Sequence, residues 1–503
     1  MTSGNRETPI IRQATRWLPW AGAGLLAGMS FWAPLPFASV QPWAETVLRL
    51  AAALALALSL PALTDRRTLA PVTGPALALL GVAAFGALQS LALPAPLVAA
   101  LSPAHAETYA AASELLPEDG GPAPPGSARL TLSPEATSDA ALAWAAAAAA
   151  LVAAALAGRS RRRRRWLAAG ILAAAAFQLL YGVRHQAAEA RTIWGITVTG
   201  VAERLRGTFV NPNDLAYLFE IGLAVAFAWS WWGIRRGLRR KSAERLLLLG
   251  APPAALWIAL FVALAFTRSR AGLLAASAAT LLQCVLLALP RRRWGLAATG
   301  LGLIAAGAAA AASLTALPVF ERLFSTSVYE VAWGARSRVA GLSFDLWRSF
   351  PWTGTGLGTF GDAFVRVQPA GFGFEAWTHA HNDYAELLVT GGLVAVALAA
   401  WGAAALAARL LQVQRDGLRS EDRAAGLAGL GALAAVAVHE AFDFGLAIPA
   451  IAFTLAIVCG AAAAAVVEPR RQRRRRRVRT RDRAQLHEVE AGGGADLDHQ
   501  GSP

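Results

Sequence analysis

Residues 333–392 read WGARSRVAGLSFDLWRSFPWTGTGLGTFGDAFVRVQPAGFGFEAWTHAHNDYAELLVTGG, a polar island rich in glycine and aromatic residues in a chain dominated by alanine and leucine. The island holds several arginines and closes on His379, His381, Asn382 and Asp383, just before the sequence turns apolar again. On either side, apolar runs recur at lengths near ~20 residues, which is what a helix needs to cross roughly 30 Å of hydrocarbon. Island and runs together describe a water-facing loop at the mouth of a helical membrane bundle.

Composition supports an all-α polytopic membrane protein. Of 503 residues, 56% are hydrophobic and 16% charged, against about 25% charged in an average soluble domain. The net charge of +15 would suit nucleic acid, but the arginines sit in short clusters between apolar runs, where membrane topology accounts for them. No nucleic-acid partner is expected. Cys284 and Cys459, the only cysteines, lie inside apolar runs and read as buried thiols rather than a disulfide framework. The run Trp17 to Phe37 follows Arg6, Arg12 and Arg16 as a signal peptide would. It is long for one and meets Pro34 and Pro36 before any cleavage-like site, so it reads as a retained first helix.

Candidate spans lie at about 17–37, 44–63, 73–93, 139–157, 166–184, 213–232, 246–266, 271–289, 295–315, 384–410, 425–441 and 447–467. With about twelve helices, Arg66 and Arg67, Arg159 with Arg161 to Arg165, Arg235 to Lys241, Arg291 to Arg293, Arg415 to Arg423 and the tail Arg470 to Arg483 all fall on one side, together with the N-terminal arginines. The positive-inside rule makes that side the cytoplasm, with both termini there. The opposite face then receives the long connections, from Pro94 to about Asp139, from Arg184 to Asn211, and a large loop over 316–383 before the tenth span. Pro117 to Pro125 reads as a flexible excursion. The aromatic content of the large loop favours an ordered cap over the bundle. The chain divides into residues 1–206 with the first five spans, a core at 207–392, C-terminal spans at 393–467, and a disordered basic tail at 468–503 whose arginines suit anionic lipid head groups.

Four constellations fall on the outer face. In Gly207-Thr208-Phe209-Val210-Asn211-Pro212-Asn213-Asp214, Asn211 can cap the next helix, Pro212 suits its first position and Asp214 its first turn. Asn213 is not needed for capping and is the functional candidate. In Thr267-Arg268-Ser269-Arg270-Ala271-Gly272, two arginines stand at an outer boundary, against the positive-inside trend. Arg268 can snorkel to the interface, yet a guanidinium pair at head-group depth also suits a phosphate, Arg270 above all. In the island, Arg336 and Arg338 precede a helix expected over Ala340 to Phe350, ending at Pro351. The glycines from Gly354 to Gly358 lack the lysine and the strand–helix context of a nucleotide loop, so turn formation is their default. Asp383 and Glu386 resemble a capping box. His379 and His381, on the wet side of the helix start, form an H-x-H with no evident third metal ligand, so a general base is the more natural role for one imidazole. His439, Glu440 and Asp443 close the penultimate span at the same face and are functional candidates by position.

These residues resemble the O-antigen ligase and polymerase superfamily, whose pattern is an arginine, a helix, a proline followed by G-x-G-x-G-x-F, then His-Asn-x-Tyr opening a helix. Here it reads Arg336, Pro351, Gly354 to Phe360, and His381-Asn382-Asp383-Tyr384, with upstream matches at Gly207 to Asn213 and Ser269 to Gly272. The resemblance covers about Gly207 to Gly392. It implies a GT-C-like bundle in the bacterial inner membrane and a metal- and cofactor-independent, inverting glycosyltransferase. The donor it implies is a glycan on undecaprenyl pyrophosphate, and the acceptor is lipid A core or a growing polysaccharide. By that resemblance Arg270 and Arg336 hold the pyrophosphate, with Arg268 and Arg338 beside them, and His381 positions or deprotonates the acceptor hydroxyl. Asn213, Asn382 and His379 complete the implied binding set. A repeat-unit polymerase shares the motif. From other classes, a lipid-linked sugar transporter would need charged or broken helices at mid-membrane, and a scaffolding loop would leave the outward arginines unexplained.

Overall fold

A computed structural model describes residues 9–63, 68–115, 123–124, 126–198, 204–289, 329–369 and 377–468, with a few positions between 295 and 305. The helices are α1 (Pro9–Trp32), α2 (Pro42–Ser59), α3 (Thr73–Ser90), α4 (Ala95–Leu101), α5 (Pro103–Leu115), α6 (Pro134–Gly158), α7 (Arg161–Ala187) and α8 (Pro212–Arg240). They continue as α9 (Ala243–Leu249), α10 (Ala251–Phe266), α11 (Arg270–Ala288), α12 (Tyr329–Ser349), α13 (Phe360–Phe364), α14 (Asp383–Asp416), α15 (Ser420–His439) and α16 (Pro449–Ala463). Strand is confined to two short antiparallel pairs among the described residues, Leu93–Pro94 with Ser127–Ala128 and Thr192–Ile193 with Ile196–Thr197.

Eight helical segments among the described residues are long and apolar enough to cross a membrane, and α1, α15 and the shorter α16 pack among them. A helix stands at every expected span except 295–315, which falls largely outside the described residues. Arg66 and Arg67, Arg291 to Arg293, most of Pro117 to Pro125 and the tail after Glu468 also lie outside them. The expected span 246–266 is two helices, because Pro252 and Pro253 fit the first turn of a new helix but not a helix interior, and Gly250 sits at the joint. Cys284 and Cys459 are free and buried, as expected.

The basic clusters gather at one end of the bundle. Arg161 to Arg165 open α7, Arg239 and Arg240 close α8, and Arg415 closes α14. There Arg164 forms a buried ion pair with Asp422 at the start of α15, and Arg165 grips Glu421 at 2.7 Å. The opposite end carries the motif residues, since α8, α11 and α14 begin there and α15 ends there.

At that end the island folds down into the bundle. Helix α12 is helical from the first described residue of its stretch, Tyr329, and so extends ahead of the expected Ala340; it stops just before Pro351, as a residue preceding proline favours. The chain from Pro351 to Thr359 then lies against α14. The Thr355 and Gly356 N–H groups donate to the Val389 and Thr390 carbonyls at 2.8 and 2.9 Å, and the Leu393 N–H donates to the Pro351 carbonyl at 3.0 Å. Those α14 residues stand about 9–15 Å along the helix from its start. Irregular backbone at such depth needs partners in the protein, and α14 breaks at Gly392 (φ 60°) to supply them. Gln89 of α3 adds two more bonds, donating to the Thr353 carbonyl at 2.7 Å and accepting from the Leu357 N–H at 3.2 Å. Gly354 and Gly356 have positive φ, and a Cβ on Gly356 would stand 2.0 Å from Thr131 Oγ1. The glycines thus serve turns and close packing. Above them Val339, Leu346, Phe350, Phe360, Phe364 and Ala380 form a separate apolar core, so the described part of the loop is an ordered cap.

Candidate functional site

Three helix N-termini converge at the motif end, each capped by a side chain from the sequence that precedes it. Asn211 accepts the Asn213 N–H at 2.9 Å, Ser269 the Gly272 N–H at 3.1 Å, and Asn382 the Ala385 N–H at 3.0 Å. The caps leave the positive ends of three helix dipoles facing one region. Asn211 and Pro212 therefore have the structural role expected of them. Asn382, expected in the binding set, also acts as a cap here, and it displaces the expected Asp383–Glu386 capping box. A side chain one residue earlier already satisfies the first-turn N–H groups. Asp383 is released to accept the Leu446 N–H at 3.1 Å, and Glu386 reaches back to the Ala380 N–H at 2.9 Å and to His379 Nδ1 at 3.0 Å.

His381 sits in the left-handed region (φ 52°), an uncommon conformation for a residue with a side chain. Its Nδ1 lies 3.1 Å from Asp443 Oδ1, and Asp443 is only 2% exposed. The second Asp443 oxygen accepts from Asn213 Nδ2 at 2.7 Å. Asn213 Oδ1 in turn accepts from an Arg204 guanidinium N–H at 2.5 Å, and Arg204 Nε donates to the Thr267 carbonyl at 2.7 Å. Because a guanidinium only donates, it fixes the orientation of the Asn213 amide. The Asp443 carboxyl is pushed up by burial, but the bond to His381 and the nearby charges of Arg336 and the histidines outweigh this and hold it below the usual carboxylate range.

Phe444 carries the two island histidines. His379 stacks on it at 4.1 Å and His381 meets it edge-on at 5.0 Å, with Trp377 closing the other side of His381 at 5.7 Å. Burial opposes charge on His379, yet Glu386 and the further carboxylates Asp383 and Asp214 raise its pKa above the ordinary histidine value. The two imidazoles thus address different carboxylates. Among the described residues no three His, Cys, Asp or Glu side chains are grouped as metal ligands.

The arginines lie around this centre. Arg336 donates to the Phe442 carbonyl at 3.3 Å and stands close enough to Asp443 to stabilise its charge. Arg338 is exposed, and two residues on along α12 it points away from that face. Arg268, half-buried and also left-handed (φ 54°), and Arg270, exposed, flank the Ser269 cap at the same end. Arg204, Tyr217 and Glu220 are parts of this region that the sequence reading did not single out. Arg204 carried a usable signal, another arginine on the outer side of the positive-inside pattern, and Glu220 carried one as a carboxylate in an apolar run.

No curated protein matches the chain. A family model described as O-antigen ligase matches residues 254–400, a stretch that includes Arg268, Arg270, Arg336, the glycine loop and His381-Asn382-Asp383-Tyr384. The resemblance drawn from those motifs is therefore borne out over this stretch: this is a multi-pass membrane chain whose residues 254–400 match the O-antigen ligase family, the likeness at Gly207 to Asn213 lying outside the match.

Proposed function

We propose that the chain is an inverting membrane glycosyltransferase of the O-antigen ligase type, acting at the periplasmic face of the inner membrane. It moves a glycan from undecaprenyl pyrophosphate to an acceptor hydroxyl on lipid A core. The observation that carries this reading is the bond between His381 Nδ1 and buried Asp443, at the same end of the bundle as Arg268, Arg270 and Arg336. With Nδ1–H donated to the carboxylate, Nε2 is left to accept a proton.

In the proposed step the acceptor oxygen bonds to the anomeric carbon as the carbon–oxygen bond to phosphate breaks. That electron pair leaves with the lipid pyrophosphate, and the acceptor proton passes to His381 Nε2. A single displacement inverts the anomeric centre. Asp443 stabilises the imidazolium, and proton removal of this kind contributes roughly 10²–10⁴-fold. Arg270 and Arg336, with Arg268 beside them, offset the charge gathering on the leaving group. The sequence of this chain supplies each of these groups, and the step calls on no metal or cofactor.

A transporter reading gains from the break in α14, but backbone from Trp352 to Gly356 fills that break instead of a path. The test is His381→Ala in liposomes with lipid-linked glycan. Glycan transfer should disappear while carrier movement between leaflets, where present, persists. Undiminished transfer would refute the assignment. Glycans of a deletion strain separate the two reactions of the superfamily, because unligated lipid-linked polymer marks a ligase and single repeat units on their carrier mark a polymerase.

A further inference from the structure

We infer that His439, backed by Glu220, is a positioning residue for the arginine loop Thr267–Arg270. The inference rests on the donor-side reading of Arg268 and Arg270 given above. Both side chains of the pair are fully buried, with His439 Nδ1 2.7 Å from Glu220 Oε1 about two turns along α8. Ionisable groups inside a membrane bundle are costly, and packing alone would be met by leucine. The imidazole lies flat on the Tyr217 ring at 3.8 Å and 9°. Gly445 leaves room for that ring, since a Cβ there would stand 2.3 Å from Tyr217 Cζ.

The far side of the imidazole reaches the loop. With Nδ1 facing the Glu220 carboxyl, the neutral tautomer that donates there leaves Nε2 to accept from Ser269 Oγ, 3.5 Å away. Ser269 Oγ simultaneously accepts the Gly272 N–H as the cap of α11. The hydrogen bonds therefore run in one direction, from Gly272 through Ser269 and His439 to Glu220. The other end of the loop is held by Arg204 at the Thr267 carbonyl, and Arg204 leads through Asn213 and Asp443 to His381. Left-handed Arg268 lies between the two anchors. One network thereby sets the backbone that carries both guanidinium groups relative to the imidazole that takes the proton.

Two substitutions separate this tether from a merely structural buried pair. Asn places its amide near the former Nδ1 and keeps Glu220 company, whereas Gln reaches the former Nε2 and keeps Ser269. The full chain in lipid nanodiscs is read by hydrogen exchange at residues 267–272 and by transfer kinetics with lipid-linked donor and sugar acceptor. His439→Asn should speed exchange at Gly272 and raise donor KM roughly tenfold with acceptor KM unmoved, the loss of the Ser269–His439 contact. His439→Gln should recover both to within about threefold of the parent. Should the Asn variant fail to fold, Ser269→Ala and Ser269→Thr give the same contrast from the loop side, with loss in Ala and recovery in Thr. Exchange unchanged in His439→Asn, or impairment in Gln but not Asn, would overturn the tether. Faster exchange with an unmoved donor KM would uphold the tether and overturn the donor-side reading of the arginines.

Discussion

Replacing Asp443 by asparagine preserves shape but reverses a hydrogen bond that the surrounding residues do not permit to reverse. The carboxylate accepts twice, from His381 Nδ1 at 3.1 Å and from Asn213 Nδ2 at 2.7 Å. An asparagine at 443 offers one acceptor and one donor. If its oxygen faces His381, its amide meets the Asn213 amide, and Asn213 resists turning because Arg204 donates to its oxygen. If its amide faces His381, the imidazole must hold its proton on Nε2, where it is useless as a base. The first arrangement sets two amide N–H groups against each other, the second satisfies both neighbours but holds the imidazole in the wrong tautomer, and in either the charge that stabilises the imidazolium is gone. The expected cost is about 3–5 kcal/mol, a fall of roughly 10²–10⁴ in turnover with the fold intact. Single-turnover transfer from lipid-linked donor in nanodiscs, with melting temperature as the control for folding, measures it. Removing Arg204 in the same chain frees the Asn213 amide to flip, so at saturating donor, where loss of the Thr267 anchor does not limit the rate, Asp443→Asn with Arg204→Ala should turn over roughly tenfold faster than Asp443→Asn alone. Additive losses, or a single variant that keeps more than about a tenth of the parent turnover, would refute the directional chain from Arg204 to His381.

Arg336→Ala should lower transfer at least ~10-fold more than Arg338→Ala, since Arg336 reaches the Phe442 carbonyl and the field of Asp443 whereas Arg338 lies exposed; kinetics showing the opposite order would move the donor grip to the exposed face of α12. The His379–Glu386 pair raises the histidine pKa in the folded state, so its stabilisation is full below the ordinary value near ~6.5 and is lost as pH rises through the higher folded value. The melting-temperature gap between the parent and Glu386→Gln should therefore be widest in mild acid and close toward alkaline pH, and a gap that widens upward would contradict the pairing. Gly356→Ala should abolish accumulation of folded protein, because its Cβ would stand 2.0 Å from Thr131 Oγ1 at a φ of 111°; normal yield by size-exclusion chromatography would show that the loop is not held as described.

The bundle was legible because apolar run length and arginine placement are one-dimensional signals. A run of the right length between Arg161–Arg165 and the outer loops needs no tertiary information to be read as a span. The exceptions have local causes that composition hides, such as the Pro252-Pro253 restart of α10 and the break of α14 at Gly392. The latter exists only because the Pro351–Gly356 backbone arrives from elsewhere to use the exposed groups. The extension of α12 ahead of Ala340 runs through Gly334, Ser337 and several β-branched and aromatic residues, weak helix formers whose propensity is easily overridden.

At the site, the residues named by motif were those near one another in sequence, while what makes them work together spans the chain. Asp443 and Asn213 are separated by 230 positions, and His439 and Glu220 by 219. Neither pairing leaves a trace in local spacing. Position in the membrane is the partial substitute. A carboxylate such as Glu220 within an apolar run, or Arg204 on the outer side, departs from what burial and topology favour, and such departures persist where a partner compensates them. The misjudged capping box follows the same logic. Asp383 and Glu386 have the right spacing to cap α14, but Asn382 does so first, which frees both carboxylates for Leu446, Ala380 and His379. Once the cap is assigned to Asn382, Asp383 answers to Leu446, Asp443 to His381 and Asn213, and Glu220 to His439, each a partner from another segment. The loop histidines are thus held by long-range partners, and the geometry of the proposed base depends on helices the motif does not include.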